Sequence, residues 1–76
     1  MTGEKSAKLV RMANQIGAFY AAMPDREATV GAVSHLRAFW TPKMIDELLA
    51  FTAQGDAGLN PTTAHAVEAL RRARPA

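Results

Sequence analysis

The 76-residue sequence predicts an all-α fold: a small bundle of three main helices plus a weaker C-terminal fourth, in a single domain spanning residues 1–76. Three observations predict it. Apolar residues recur at helical spacing in successive segments. Proline-bearing stop-and-start signals separate those segments, and nowhere does the period-two alternation of a half-buried strand take over.

The first helix is predicted over about 6–23. With Leu9 at zero and ~100° per residue, Phe19, Met12, Met23, Ile16, Leu9, Tyr20 and Ala13 fall within an arc of roughly 120°. Pro24 ends the helix, because the residue before a proline is steered away from helical angles. Asp25 is placed to cap the next helix by accepting a backbone N–H. That second helix, about 26–40, gathers Ala28, Phe39, Ala32, Leu36, Thr29, Trp40 and Val33 on one side. Thr41-Pro42 is both stop and start, with threonine as N-cap and proline at the first helical position. The third helix, about 42–54, carries Phe51, Met44, Leu48, Thr52 and Ile45 on its apolar face, and Gly55 is placed to be its left-handed C-terminal residue. Asn60-Pro61 repeats the cap-plus-proline signal. The fourth helix, about 61–74, offers only Val67 and Leu70, padded by Thr63, Ala66 and Ala73, and is expected at the periphery.

Composition narrows the class. Of 37 apolar residues 16 are alanine, leaving 21 larger ones, which places the chain among small domains of marginal independent stability. Cysteine is absent, so neither a disulfide framework nor a thiolate metal site is available, and a partner is the remaining common source of stability. No apolar run approaches the roughly 18 residues of a membrane span. The opening MTGEKSAKLVRM lacks the continuous apolar core of a secretory signal, so a cytoplasmic location without membrane association is expected. A net charge of +2, from 9 basic and 7 acidic residues, is too small for a nucleic-acid footprint.

The faces away from the apolar stripes are unusually small. On the first helix Ala18, Ala21 and Ala22 lie there beside Arg11, with Gly17 and Val10 on one flank; the second helix repeats the pattern with Gly31, Ser34 and Ala38. Small side chains let another backbone approach, so both rows are candidate contact surfaces for a second protein, although alanine also simply favours helices. Phe39 and Trp40 flank the second stripe on opposite edges. Either both are core, or one reaches a partner pocket, and Trp40 at the corner before Thr41-Pro42 is the better placed for that role.

The search for chemistry is negative. His35 and His65 fall on different helices with no H-E-x-x-H spacing, no G-x-S-x-G or glycine-rich phosphate loop is present, and Asp46 and Glu47 diverge as helical neighbours. No catalytic, cofactor-binding or metal-ligating residue is assigned. The second and third helices could suggest a helix-turn-helix, but PKMIDELLAFTAQ carries one lysine, two acids and no arginine, a poor set of donors for phosphates and guanines. Arg71, Arg72 and Arg74 make a basic C-terminus that also complements the helix dipole. A nucleic-acid-binding regulator using that tail is one alternative reading, and a helical homodimer paired through the small-residue rows is another.

The string KLVRMANQIGAFYAAMP followed by HLRAFWTPKMIDELLAF resembles the small delta subunit of NAD-dependent formate dehydrogenases. The likeness covers about Ala7 to Leu70. It rests on the joint order of Met12-Ala13-Asn14-Gln15-Ile16, His35-Leu36, Phe39-Trp40, Pro42 and Met44 rather than on a chemical motif. Tyr20 stands where a second phenylalanine is expected, and Thr41 where aspartate is usual. The resemblance implies a non-catalytic subunit that docks on a catalytic alpha subunit and supports its assembly, stability or molybdenum-cofactor insertion. The implied host carries a bis-molybdopterin guanine dinucleotide molybdenum or tungsten centre, iron–sulfur clusters, FMN and NAD, none of them bound by this chain. The candidate partner-contact residues are then Trp40, Phe39, His35, Arg37, Pro42 and Asn14, with Ala18, Ala22, Gly31 and Ala38 from the small-residue rows.

Overall fold

The computed structural model describes residues 2–53 and 58–73. They form four helices, α1 (Thr2–Tyr20), α2 (Asp25–Phe39), α3 (Pro42–Thr52) and α4 (Pro61–Ala73), with no strand among the described residues. The all-α class and the order of elements are as expected. Gly55 and Arg74, and the roles expected of them, lie outside the described residues.

The helix ends follow local chemistry, with differences at both ends of α1 and at the start of α2. α1 begins earlier than expected: Glu4 in its first turn complements the positive helix end, and Lys5 Nζ sits 3.2 Å from Glu47 Oε2 on α3. It also stops three residues short, because the chain must reverse before Pro24, and the Met23 N–H closes a turn on the Tyr20 carbonyl at 3.0 Å. Asp25 does not cap α2 as expected. Pro24 holds the N-cap position at φ −54°, ψ 147° with no side-chain bond, so Asp25 is already helical, and its carbonyl accepts from Thr29 Oγ1 at 3.0 Å. Its charge still favours that end of the helix. Thr41 and Asn60 act as the sequence indicates: Thr41 Oγ1 accepts from the Met44 N–H at 3.2 Å and Asn60 Oδ1 from the Thr63 N–H at 2.8 Å.

The place of α4 is the main correction. Expected at the periphery, it packs across both α1 and α2 and buries Thr63, Ala66, Val67 and Leu70, with Ala66 at 0% exposure. Small residues make this contact, and their value is distance rather than bulk. A methyl group on Gly17 would overlap the Thr63 hydroxyl and press on Asn60 Oδ1 and the Thr63 backbone nitrogen. Thr63 Oγ1 donates to the Ala13 carbonyl at 3.2 Å. Asn14 then ties α1 to the segment entering α4: its Nδ2 donates to the Gly58 carbonyl at 2.9 Å, its Oδ1 accepts from the Asn60 N–H at 2.9 Å, and its carbonyl accepts from Asn60 Nδ2 at 3.0 Å. Gly58 takes φ +80°, a left-handed conformation that glycine adopts without a steric penalty.

At its far end α4 secures α3. Arg71 Nη1 donates to the Leu49 carbonyl at 3.2 Å and Nη2 to Thr52 Oγ1 at 3.1 Å, a cation at the negative end of α3. Arg72 pairs with Glu68 at 3.5 Å. Within the expected basic tail, therefore, Arg71 is a structural cap.

The core comprises Leu9, Val10, Ala13, Leu36, Trp40, Leu48, Leu49, Val67 and Leu70. On α1 it is not the predicted stripe. Phe19 and Met23 are exposed, Met12, Ile16 and Tyr20 are half-buried, and the buried set is Leu9, Val10, Ala13 and Gly17. The buried face is thus rotated by roughly 70° toward Gly17, because α4 fits only against small residues.

Two outcomes follow. Gly17→Ala ordinarily gains about 1 kcal/mol of helix propensity. Here overpacking against Thr63 outweighs it, with a net loss of about 1–3 kcal/mol and a melting temperature lower by several degrees; adding Thr63→Ala makes the pair lose less than the sum of the singles. Thermal unfolding of the four variants checks this, and a rise on Gly17→Ala would refute the close contact. Trp40, the only tryptophan, emits as a buried indole that resists acrylamide quenching; ready quenching in the folded chain would contradict its place in the core.

Candidate functional site

Two aromatic pairs close the first two helices: Phe19-Tyr20 ends α1, and Phe39-Trp40 ends α2. In each pair one ring turns inward and the other outward, because neighbours on a helix point about 100° apart. Trp40 is 7% exposed and belongs to the core, whereas Phe39 is 74% exposed. Tyr20 is half-buried and Phe19 is 75% exposed.

Tyr20 lies across Gly31 of α2, where a Cβ would stand 2.6 Å from its Cδ1 and Cε1. Lacking that carbon, α2 lets the ring lie close, and a row of rings follows from it. Phe19 meets Tyr20 edge-on with centroids 5.1 Å apart, Tyr20 meets His35 at 6.2 Å, and His35 lies against Phe39 at 4.6 Å. Such edge and tilted geometries suit the ring quadrupoles. Beside this row runs an open groove of about 440 Å³, walled by Met12, Gln15, Ile16, Phe19 and Tyr20 of α1 and His35 of α2, with Trp40 also lining it.

The sequence-derived candidates divide among three environments. Trp40, His35 and Phe39 come together in the groove and ring row. Arg37, Pro42, Ala18, Ala22 and Ala38 are exposed elsewhere on the surface. Asn14 and Gly31 are engaged within the chain, the first in the clamp on Asn60 and the second beneath Tyr20. The small-residue rows are interrupted in the same way, since Gly17 and Val10 are buried.

Phe19, Tyr20, Met12, Gln15 and Ile16 are the groove residues that projection missed; it had placed all but Gln15 in the core. One signal could have found them. Phe19-Tyr20 repeats at the end of α1 the adjacent aromatic pair that marks the end of α2. The arrangement offers apolar contact and ring edges. Among the described residues no group of three or more His, Cys, Asp or Glu is placed to hold a metal ion, and no described helix is long and apolar enough to cross a membrane.

No curated protein and no solved structure matches the chain. A family model does, that of the NADH-dependent formate dehydrogenase delta subunit FdsD, over residues 8–67. The match spans most of the chain, includes the groove, both aromatic pairs and the Asn14–Asn60 clamp, and stops before Arg71. The chain therefore belongs to the FdsD family of formate dehydrogenase delta subunits.

Proposed function

We propose that this protein is a non-catalytic accessory subunit of a cytoplasmic NAD-dependent formate dehydrogenase. It docks on the catalytic alpha subunit through the aromatic groove and supports that subunit's assembly, stability or molybdenum-cofactor insertion. The observation that carries this reading is the pair Phe19 and Phe39, each about three-quarters exposed at the ends of one ring row. Clustered exposed aromatics beside a groove are the kind of surface that concentrates binding energy when a partner removes it from water. Family membership supplies the complex in which the partner belongs.

In this reading the redox chemistry lies on other chains. A bis-molybdopterin guanine dinucleotide centre of molybdenum or tungsten and iron–sulfur clusters reside in the alpha subunit, and FMN and NAD are handled elsewhere in the complex. The absence of cysteine from this chain supports that division, since thiolates are the usual cluster ligands. The groove, being apolar and aromatic, supports contact rather than proton transfer.

Docking and folding are separable by mutation. Trp40→Ala empties a core position and lowers stability by about 3–5 kcal/mol, so the isolated chain melts far earlier. Phe19→Ser with Phe39→Ser removes two exposed rings, leaves the melting temperature within a few degrees, and reduces co-purification with the catalytic subunit at least tenfold, the scale of an aromatic hot spot. Undiminished co-purification of the double variant would remove the groove from the docking site. Failure of the wild-type chain to co-purify, with normal formate oxidation in a deletion strain, would overturn the accessory role.

A further inference from the structure

α4 and the groove occupy opposite sides of the α1–α2 pair. On one side α4 fills the trough between the two helices, against Ala13, Gly17 and Asn14. On the other, the equivalent trough is walled by the bulkier Met12, Ile16, Tyr20 and His35 and holds no helix of the described chain. A trough between two antiparallel helices is shaped to take a third, whose side chains enter it at i, i+3, i+4 and i+7. About 440 Å³ leaves room for more than one large apolar side chain.

Charge marks the α1 rim of the trough. The α1 wall continues as Lys8, Met12, Gln15 and Phe19, spaced i, i+4, i+7 and i+11 and sharing an arc of roughly 60°. Arg11 flanks it. Both cations are exposed, and neither has an ion-pair partner among the described residues. Lys8 and Arg11 thus put positive charge on the α1 rim of the open trough, next to the residues that wall it.

We infer that the occupant is an amphipathic helix of the catalytic subunit, with an apolar stripe facing the ring row and one or more acidic residues seated over Lys8 and Arg11. This rests on the docking reading above and adds the chemistry of the partner segment. Complementary charge at the rim acts mainly on register and encounter, and it is screened by salt.

The test uses the assembled complex. A benzophenone-bearing amino acid replaces Phe19, or in a second preparation Phe39, and the photo-crosslinked partner peptide is identified by mass spectrometry. In parallel, Lys8→Glu with Arg11→Glu is assayed for association at low and high salt, with circular dichroism and melting temperature confirming that the chain still folds. The expected result is a crosslink to a helical, acid-bearing segment of the catalytic subunit. The charge reversal should weaken association about tenfold at low salt and less at high salt, and reversing the partner's acid to lysine should restore it. A crosslink to the catalytic subunit in a strand, loop or acid-free segment, or a neutral charge reversal, overturns this inference and leaves the docking reading standing. Crosslinks confined to two copies of this chain overturn both.

Discussion

The approach of α4 to α1 at Gly17 governs the arrangement of everything else in this small domain. At that point the Thr63 side chain occupies the space a Cβ would need, and its hydroxyl reaches the Ala13 carbonyl. The Asn14–Asn60 clamp holds the same junction by pairing backbone and amide groups 46 residues apart in sequence. These are buried or half-buried polar groups, so each bond matters chiefly for the desolvation it offsets. Once α4 is seated, Val67 and Leu70 complete the core and Arg71 reaches the end of α3. A chain with 21 large apolar residues thereby closes a core using close backbone contact where bulk is scarce.

The same contact determines what faces outward. A helix has only so much circumference, and α1 gives the α4 side to Ala13, Gly17 and Asn14. Its bulkier residues, Met12, Ile16 and Phe19, are turned to the side of the α1–α2 pair away from α4, where Trp40 supplies a buried base and the rings of Tyr20, His35 and Phe39 line up. The groove is therefore a geometric consequence of how α4 docks. Its aromatic surface and the polar clamp are two sides of one choice of helix orientation.

Local chemistry made much of this legible beforehand. Pro24, Thr41-Pro42 and Asn60-Pro61 mark their boundaries through effects that act within a few residues, and Thr41 and Asn60 cap as their types suggest. The faces were harder. Helical projection weights residues by size, so it turned α1 toward Phe19 and Met23, and it set Gly17 on the flank of a row offered to a second protein when Gly17 is where the chain's own α4 fits. The importance of α4 escaped for the same reason: Thr63 and Ala66 add little apolar area yet set the interhelical distance. Arg71 as a cap on α3, and Asn14 as a clamp, depend on partners far along the chain, which periodicity does not register. Of the groove, the Phe39-Trp40 corner was legible from its adjacency at a helix end, but the outward role went to Trp40, whereas Phe39 is the exposed ring and Trp40 the buried one; its companion Phe19-Tyr20 was absorbed into the supposed core.

The alanines and glycines of the small-residue rows consequently acquire a different meaning. Read as rows, they suggested a second packing surface for a foreign backbone. In the structure the two glycines of those rows are spent internally, Gly17 admitting Thr63 and Gly31 admitting the Tyr20 ring. Each lets one element come closer than any other residue would allow, and each closure displaces larger side chains toward the solvent. With Gly31 beneath it, Tyr20 lies low on α2 and bridges Phe19 to His35; a Cβ at that position would lift the ring and break the row at its middle. Small residues thus shape the proposed docking surface without being it: they draw the helices together and leave outside the aromatic side chains that no longer fit within.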